Sequence, residues 1–479
     1  METLQRSANR GSVSTGYDVD NSAVFEADNS SYIRFTNIST YYSSARAKKF
    51  SNSIWVKRSA LDHRGMVLSY TQSGYLEFNA NHELNWVMAF RSGSSGAGTQ
   101  KTLKSNAVFR DTAAWYHIMV AVDTAQSTAA DRVKIYVNGV QITSWATEQY
   151  PDQNDESANV YEQHNYIGTW GGGDHTNTGF NGYVAEFYFL SEIAASPTDF
   201  GEFDSNTGIW IPIEYTAATI TSPSSYLNFS NASNLAEATS GQDWASGNVN
   251  SVGQATDTCT NNFATYNVLV NNNTTETEGA TRINSDSSFQ TVPASIGVTS
   301  GKWYAEFKHN ETSNEAFFGV VSLDGNNTDF GNHIGNDSDN YGVGMYAGNG
   351  NSYITGTIAS FSSATSSSVV VGIALDMDNG YVYISKDGTW QNSGNPTSGS
   401  SGTGGLALAK YQTDIHAIAA SCFNTSSSNY VASNFGGYTT ISISSAASDA
   451  NGYGTFEYAP PSGYLALCTK NLASDGGSA

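Results

Sequence analysis

The strongest constraint on the fold of this chain is a strand pattern that occurs twice. Residues 131–142 read DRVKIYVNGVQI and residues 379–390 read NGYVYISKDGTW, with alternating apolar and polar residues around a two-residue turn. The turns are Asn138-Gly139 and Asp387-Gly388, and such pairs tolerate the positive φ angles that tight hairpins require. Each hairpin follows an apolar run that ends in an acid, HIMVAVD or VVVGIALDMD. The repetition therefore predicts two β-sandwiches, each with an inner strand that leads into a hairpin.

The composition predicts an all-β fold. Aromatic residues make up 12% of the 479 residues, and charged residues make up only 13%. Ser, Thr, Asn and Gly fill the polar positions between runs of Tyr, Phe, Val and Ile, which is typical of short strands joined by tight turns. No helix longer than a turn is predicted, because Pro197 limits the best candidate, SEIAASPTDFGEF.

The strand-like runs divide the chain into four segments. Residues 1–20 are polar and are expected to form an arm or an anchor, and residues 21–230 contain the closely spaced strands of a first sandwich. Turn-forming residues dominate between 231 and 290, so we place a loop-rich connector there. Strand-like runs continue over residues 291–479, which we assign to a second sandwich with a short C-terminal tail.

Some side chains have a predictable burial. In YVAEFYFLS the residues Tyr183, Ala185, Phe187 and Phe189 alternate, which predicts a strand with one buried face. His117 lies in the run WYHIM and is expected to be half-buried rather than a metal ligand. Four tryptophans lie inside strand patterns and are expected in the core: Trp55, Trp86, Trp115 and Trp303.

Charge and cysteine content exclude several classes of protein. The 43 acids and 21 bases give a formal net charge of −22, which argues against a nucleic-acid partner. The N-terminus lacks the apolar core of a signal peptide and no run reaches transmembrane length, so no membrane insertion is expected. With three cysteines the chain is not a disulfide scaffold, and Cys422 and Cys468 are predicted to be small buried hydrophobes.

Several longer strings resemble known families. The first half, through WYHIMVAVDT, DRVKIYVNGVQIT and NYIGTWGGGDHTNTGFNGYVAEFYFLSEIA, resembles laminin-G/concanavalin-like jelly rolls. The second half resembles SPRY domains, also concanavalin-like sandwiches, through IGVTSGKWYAEFK, FFGVVS, VVVGIALDMDNGYVYISKDGTWQNSGNP and APPSGYLALCTKNL. The pairing of the two, with SIWVKRS early and FGEFDSNTGIWIPIEY between them, resembles virion structural proteins of tailed bacteriophages, especially marine ones.

This resemblance implies a virion appendage that is assembled in the host cytoplasm and exposed on the particle. The first hypothesis is a tail fibre or receptor-binding protein that adheres to a host-surface glycan or protein. The alternative is an architectural capsid fibre or decoration protein, and a third is a glycan depolymerase. Appendages of this kind are usually homotrimers, and the polar arm at residues 1–20 is expected to dock onto other virion proteins.

Catalysis is not expected from the carboxylate pattern. A glycoside hydrolase of this fold needs two carboxylates across a groove. The Glu-X-Asp-X-X-Glu signature begins at two places but is complete at neither. After Glu26 and Asp28, Ser31 stands where the second Glu should be. After Glu202 and Asp204, that position is occupied by Thr207. The fold by itself implies no activity.

No cofactor is expected, and a structural calcium ion is an alternative that stays open. Jelly rolls of this kind often hold calcium with loop carboxylates and carbonyls. The candidates are Asp174 and an acid-rich loop with Asp324, Asp329, Asp337 and Asp339. Asp376 and Asp378 precede Asn379-Gly380 and are interpreted as turn residues.

A sugar site needs an exposed aromatic ring with polar neighbours. The best cluster in the sequence is the loop WGGGDHTNT, in which Trp170 would stack on a sugar and Asp174, His175 and Asn177 would bind its hydroxyls. Trp390, beside Gln391 and Asn392, is the second candidate. The alternative for Trp170 is that its ring closes the end of the sandwich.

Overall fold

The chain divides into two compact units between Thr260 and Asn261. The computed structural model describes residues 16–27, 29–36, 38–61, 64–70, 73–92, 98–158, 164–171, 178–246, 253–270, 274–285, 288–310, 315–324, 330–336, 342–423 and 430–474. Over these ranges strands dominate and the helices are short, so the prediction of an all-β protein is confirmed.

The first unit is a β-sandwich, and its described residues include a short α-helix, α1 (Ser44–Lys48). Its strands are β1 (Ser22–Phe25), β2 (Ile33–Thr36), β3 (Lys49–Arg58), β4 (Gly65–Tyr70), β5 (Gly74–Phe78), β6 (Glu83–Arg91), β7 (Thr99–Val108), β8 (Trp115–Asp123), β9 (Val133–Val137), β10 (Val140–Gln141), β11 (Trp145–Glu148), β12 (Glu156–Ser157), β13 (His164–Ile167), β14 (Gly182–Ser191), β15 (Gly201–Phe203), β16 (Trp210–Pro212), β17 (Ser225–Leu227), β18 (Ser240–Gly241), β19 (Ala245–Ser246) and β20 (Gly253–Ala255).

Two sheets enclose the core of this unit. One has the order β10-β9-β8-β3-β14-β1-β20, and β17 also pairs with β14 and with β18. The other has the order β11-β7-β6-β5-β4-β13-β2-β19, with β12 on β6, and β15 and β16 form a separate ribbon. Side chains from both sheets, including Phe50, Ile54, Phe78 and Trp86, form one buried cluster between them.

The second unit is another sandwich and ends in helix α2 (Thr469–Ser474). Its strands are β21 (Thr274–Thr277), β22 (Arg282–Ser285), β23 (Gln290–Pro293), β24 (Lys302–His309), β25 (Ala316–Ser322), β26 (Val343–Tyr346), β27 (Asn351–Ile354), β28 (Thr357–Ser360), β29 (Val371–Asp376), β30 (Tyr381–Lys386), β31 (Thr389–Trp390), β32 (Leu406–Ala407), β33 (His416–Cys422), β34 (Val431–Asn434) and β35 (Leu465–Ala466). One sheet has the order β21-β22-β34-β24-β29-β30-β31, and the other has the order β23-β33-β25-β26-β27-β28.

Both predicted hairpins are confirmed. Strands β9 and β10 pair at Val137 and Val140, and the turn residues Asn138 and Gly139 have φ angles of 48° and 76°. Strands β30 and β31 likewise flank Asp387 and Gly388, whose φ angles are 46° and 74°. Positive φ at both central residues is the geometry that matches the twist of the flanking strands.

The repetition extends to an ion pair at the end of the strand that precedes each hairpin. Strand β8 ends at Asp123, whose carboxylate lies 3.2 Å from Nζ of Lys49, the first residue of β3. Strand β29 ends at Asp376, whose carboxylate lies 3.0 Å from Nζ of Lys302, the first residue of β24. The same pair of strands therefore carries a lysine–aspartate ion pair at the same end in both sandwiches. The turn role of Asp376 is confirmed, since it accepts a hydrogen bond from the backbone N–H of Asn379. Asp378 instead accepts one from the backbone N–H of Gly301, which lies in a distant segment and not in the turn.

The segment 231–290 differs from the predicted connector, because its described parts are built into the two sandwiches. Strand β19 pairs with β2 and β20 pairs with β1, whereas β22 pairs with β34. Between β20 and the unit boundary, Asp257 accepts a hydrogen bond of 2.7 Å from Nζ of Lys57, and both side chains are 1% exposed. The indole N–H of Trp115 donates to the other oxygen of Asp257. The strands were missed because they are short and polar and are held mainly by backbone hydrogen bonds.

Strand β14 corrects the prediction of a single buried face, because all of its residues from Gly182 to Ser191 are buried. A second apolar cluster, which includes Tyr188, Leu190 and Phe200, covers the outer side of the sheet. A bulge also shifts the register between Ala185 and Tyr188.

His117 is also more buried than predicted, with an exposed fraction of 0%. The indole N–H of Trp210 donates to its Nδ1 at 3.0 Å, so Nε2 carries the proton that is donated to Ser53 Oγ at 2.8 Å. The Trp210 ring stacks on the imidazole with ring centroids 5.9 Å apart. Burial lowers the pKa of His117 to about 3, so the ring is neutral in the folded protein at neutral pH.

The tryptophan and cysteine predictions are confirmed. Trp55, Trp86, Trp115 and Trp303 are each at most 9% exposed. Cys422 and Cys468 have exposed fractions of 0%, and Cys259 is buried as well, all three as free thiols. Burial raises the pKa of the Cys468 thiol to about 12. In the described ranges, no helix has the length and apolar character needed to cross a bilayer.

The first hairpin turn allows a test of how tightly Trp210 covers it. A Cβ atom added to Gly139 would overlap the ring of Trp210, whereas a Cβ added to Gly208, at a similar φ of 68°, meets no atom within 4 Å. We expect Gly208→Ala to destabilise the first unit by about 1 kcal/mol, from backbone strain alone. Gly139→Ala should cost about 2–4 kcal/mol, because overpacking is added to the strain. Chemical denaturation measures both, and equal losses would contradict the packing of Trp210 on the turn.

Candidate ligand-binding groove

The site residues predicted from the sequence fall in two different units. Trp170 follows β13 in the first unit and is half-buried, and the N–H of its neighbour Gly171 donates to Ser69 Oγ at 3.1 Å. Asp174, His175 and Asn177 lie outside the described residues. Trp390 ends β31 in the second unit, where its half-buried ring packs against an aromatic cluster around Tyr304 and Tyr383. Trp170 and Trp390 therefore belong to different units.

A different group of residues converges on the bulge of β14. Glu186 occupies the bulge with a left-handed φ of 47°, a conformation that is uncommon for residues other than glycine. The bulge removes Glu186 from the regular alternation of the strand, and its side chain is only 4% exposed. Such distortions within a strand often re-aim a side chain at a functional site.

Three tyrosine hydroxyls surround the Glu186 carboxylate. Tyr17 donates to Oε2 at 2.7 Å, Tyr226 donates to Oε1 at 2.8 Å, and Tyr188 donates to Oε2 at 3.3 Å. Burial raises the pKa of Glu186 above its usual range, Asp20 adds to the increase, and the tyrosine hydrogen bonds oppose it. Burial and the negative charge of Glu186 raise the pKa of Tyr17, Tyr188 and Tyr226. All three phenols are therefore protonated at neutral pH and act as donors to the carboxylate.

The tyrosine rings form a continuous aromatic wall. The rings of Tyr188 and Tyr226 are stacked with centroids 4.3 Å apart and planes at 6°. Tyr215 lies 5.6 Å from Tyr188 and stacks on Phe200 at 5.1 Å. Its hydroxyl is buried and has no hydrogen-bond partner among the described residues.

This wall borders a groove of about 460 Å³ within the first unit. The groove is defined by four tyrosines, Tyr17, Tyr188, Tyr215 and Tyr226, together with four acids, Asp18, Asp20, Glu186 and Glu214, and smaller residues that include Ala218 and Asn228. Its volume is within the range of about 300–1,000 Å³ that is usual for small-ligand pockets. Asp18, Asp20 and Glu214 are exposed at the rim. Aromatic surface, hydroxyl groups and carboxylates are thus available to one ligand.

A second buried glutamate shows what a purely structural carboxylate looks like in the same protein. Glu306 on β24 accepts hydrogen bonds from the backbone N–H groups of Glu457 and Tyr458 at 2.9 and 2.7 Å and from Asn434 at 3.0 Å. These bonds fix a loop to the sheet. Glu186 instead receives its hydrogen bonds from side chains that line a groove, which distinguishes the two sites.

The groove was not predicted from the sequence. Its residues lie far apart in the chain, from Tyr17 to Ser240, and the strand order brings them together through the pairing of β17 with β14. One local signal was present, since Glu186 interrupts the apolar run of YVAEFYFLS. An acid inside a buried strand marks either a satisfied structural group or a functional site.

The calcium candidates fall mostly outside the described residues, namely Asp174, Asp329, Asp337 and Asp339. Asp324 is described, and its carboxylate accepts a hydrogen bond from the backbone N–H of Ile415. Within the described parts of the chain, no group of three or more His, Cys, Asp or Glu residues could hold a metal ion.

One family model matches most of the first sandwich. Residues 27–198 match the family model Laminin_G_3, described as the concanavalin A-like lectin/glucanases superfamily. The predicted concanavalin-like fold of the first sandwich is therefore confirmed. The matched range contains Glu186 and Tyr188, whereas Tyr17, Tyr215 and Tyr226 lie outside it.

Solved structures with a similar course of the chain include two SPRY domains and a pentraxin. The SPRY domain of human HERC1 is 19% identical and covers 35% of this chain and 96% of its own, with a TM-score of 0.28. A human SPRY domain is 11% identical, over 34% of this chain and 94% of its own, with a TM-score of 0.25. The heptameric SAP-like pentraxin from Limulus polyphemus is 14% identical and covers 36% of this chain and 77% of its own, with a TM-score of 0.26. No curated protein matches the chain.

Proposed function

We propose that the protein is a non-catalytic glycan-binding protein, carried on a tailed-bacteriophage particle as a tail fibre or receptor-binding protein. The observation that supports binding is the groove of the first sandwich, with its aromatic wall and its ring of hydroxyl and carboxylate groups. The match of residues 27–198 to a superfamily that includes lectins is consistent with this function.

Sugar recognition follows from the chemistry of the groove. An aromatic ring packs on the apolar C–H face of a sugar, while oxygen atoms around it bind the hydroxyl groups. Here the half-buried rings of Tyr17, Tyr215 and Tyr226 supply the apolar surface. The rim carboxylates of Asp18, Asp20 and Glu214 supply acceptors for the hydroxyl groups of the sugar. A rigid wall of stacked rings also lowers the entropy that is lost on binding.

A binding role is preferred to hydrolysis because of how Glu186 is held. A catalytic acid must transfer its proton to a substrate oxygen, but three tyrosine hydroxyls already occupy the Glu186 carboxylate. The exposed acids of the rim are solvated carboxylates with no matching signature in the sequence. The superfamily includes glucanases as well as lectins, so an activity assay belongs in the test.

The bacteriophage setting rests on the resemblance of SIWVKRS, FGEFDSNTGIWIPIEY and the two module signatures to virion proteins. From the same resemblance we propose a homotrimer that is attached to other virion proteins through the N-terminal arm. Trimeric display would allow several weak glycan sites to act together through avidity. Immunogold labelling of purified particles would place the protein on the tail, and labelling of the head would favour the architectural alternative.

Filling the groove tests the proposed site. Ala218 is exposed and lines the groove, so Ala218→Trp should obstruct it without disturbing the core. Ala130, on a short helical turn of the same unit, is exposed and serves as the matched control in Ala130→Trp. On a glycan array, we expect Ala218→Trp to weaken binding at least about tenfold and Ala130→Trp to leave it unchanged.

Two outcomes would contradict the proposed function. Equal binding by the two variants would remove the groove from the binding surface. Release of reducing ends from a bound glycan, measured with the unmodified protein, would make the protein a depolymerase instead.

A further inference from the structure

The charged residues that line the groove are acids. Four of the residues that line it are acids, and within the described part of the chain no lysine, arginine or histidine lines it. The tyrosine oxygens add further partial negative charge. The net charge of −22 increases the negative potential around the groove rather than compensating it.

The carboxylates are arranged at two depths. Glu186 lies at the base, in contact with Tyr17, Tyr188 and Tyr226, whereas Asp18, Asp20 and Glu214 lie at the rim in contact with solvent. A neutral sugar would use the hydroxyls and rings but would gain nothing from this excess of charge. A cationic group would be attracted by the exposed carboxylates of the rim and by the electron-rich faces of the rings.

We propose that the groove selects a sugar that carries a protonated amine, such as a glucosamine unit of a cationic polysaccharide. The ammonium group lies among the rim carboxylates of Asp18, Asp20 and Glu214, and the ring of the sugar packs on the tyrosine wall. This inference rests on the proposed glycan-binding function and adds the class of glycan.

The test compares two oligosaccharides of the same linkage and length, one with protonated amines and one with neutral N-acetyl groups in their place. The probes are a β-1,4-linked glucosamine tetramer and its fully N-acetylated counterpart, and the full-length protein is titrated with each by calorimetry in slightly acidic buffer. We expect the amine-bearing tetramer to bind at least about tenfold more tightly. Its affinity should fall when the salt concentration is raised from about 50 mM to about 500 mM, because salt screens charges at the rim.

Rim variants separate a specific site from general attraction to an acidic protein. Glu214→Gln and Asp20→Asn each remove one negative charge at the groove and should weaken binding of the amine tetramer about three- to tenfold. Glu148→Gln removes an exposed charge on β11, in the other sheet, and should have no effect. Equal losses in all three variants would mean non-specific attraction and would overturn the inference.

The remaining outcomes distinguish this inference from the function on which it rests. If both tetramers bind equally and Ala218→Trp blocks them, the groove is a glycan site without selectivity for amines. If neither tetramer binds, the selectivity for glucosamine is wrong, and the glycan array with Ala218→Trp then decides the proposed function separately.

Discussion

Replacing Asp257 with alanine should reduce the free energy of unfolding of the first sandwich by about 3–5 kcal/mol. The change removes the counter-ion of the buried Lys57 ammonium, which lies 2.7 Å from the carboxylate, and also removes the acceptor of the Trp115 indole N–H. A buried charge that loses its partner retains its full desolvation cost. Hydrogen exchange of peptides from β3 and β8 measures the loss in this unit alone.

A double variant tests whether the uncompensated charge is the cause. Lys57→Met with Asp257→Asn removes both charges and keeps an acceptor for Trp115, so it should recover most of the lost stability. Asp131→Ala removes an exposed ion pair with Lys134 and should leave the exchange of the same peptides unchanged. A double variant as unstable as Asp257→Ala would mean that shape, and not charge, fixes this segment to the sandwich.

Lowering the pH from 7.5 to 5 should destabilise the first sandwich by about 2 kcal/mol through His117 alone. The pKa of His117 is about 3 in the folded protein, against 6.5 for an unperturbed imidazole. The unfolded chain therefore binds a proton at a higher pH than the folded chain does. The stabilising contribution is complete above about pH 6.5 and is lost progressively as the pH falls towards 3. A pH of 5 lies about 1.5 units below the pKa of the imidazole in the unfolded chain, and each unit corresponds to about 1.36 kcal/mol of stability.

His117→Gln isolates this contribution from the effect of acid on other groups. Glutamine keeps one acceptor and one donor for Trp210 and Ser53 but does not titrate. The difference between the pH dependence of the parent protein and that of the variant is the quantity of interest. A difference near zero would show that the imidazole is not held in a neutral form by its burial.

The parts of the fold that the sequence predicts are those fixed by local chemistry. Asn138-Gly139 and Asp387-Gly388 require no tertiary information to specify a turn, since the φ preference belongs to the residues themselves. The burial of Trp55, Trp86, Trp115 and Trp303 follows in the same way from their positions in strand-like runs. These predictions are confirmed, as is the all-β architecture.

The parts that the sequence does not reveal depend on contacts between distant segments. Strands β18 to β22 are polar and short, and only their pairing partners elsewhere in each sandwich identify them as strands. The full burial of β14 depends on a covering layer that the chain forms later, around Tyr215 and Tyr226. The groove depends on this same layer, and no spacing within a single segment could have predicted it.

The burial of all three thiols makes it possible to label the protein at a single introduced cysteine. Cys259, Cys422 and Cys468 are enclosed in the sandwiches, and burial raises the pKa of Cys259 and Cys468, so little reactive thiolate forms at neutral pH. A cysteine introduced at exposed Ala130 would then be the one thiol that a maleimide dye reaches in the folded chain. The labelled protein could then be followed by fluorescence without removing any native residue.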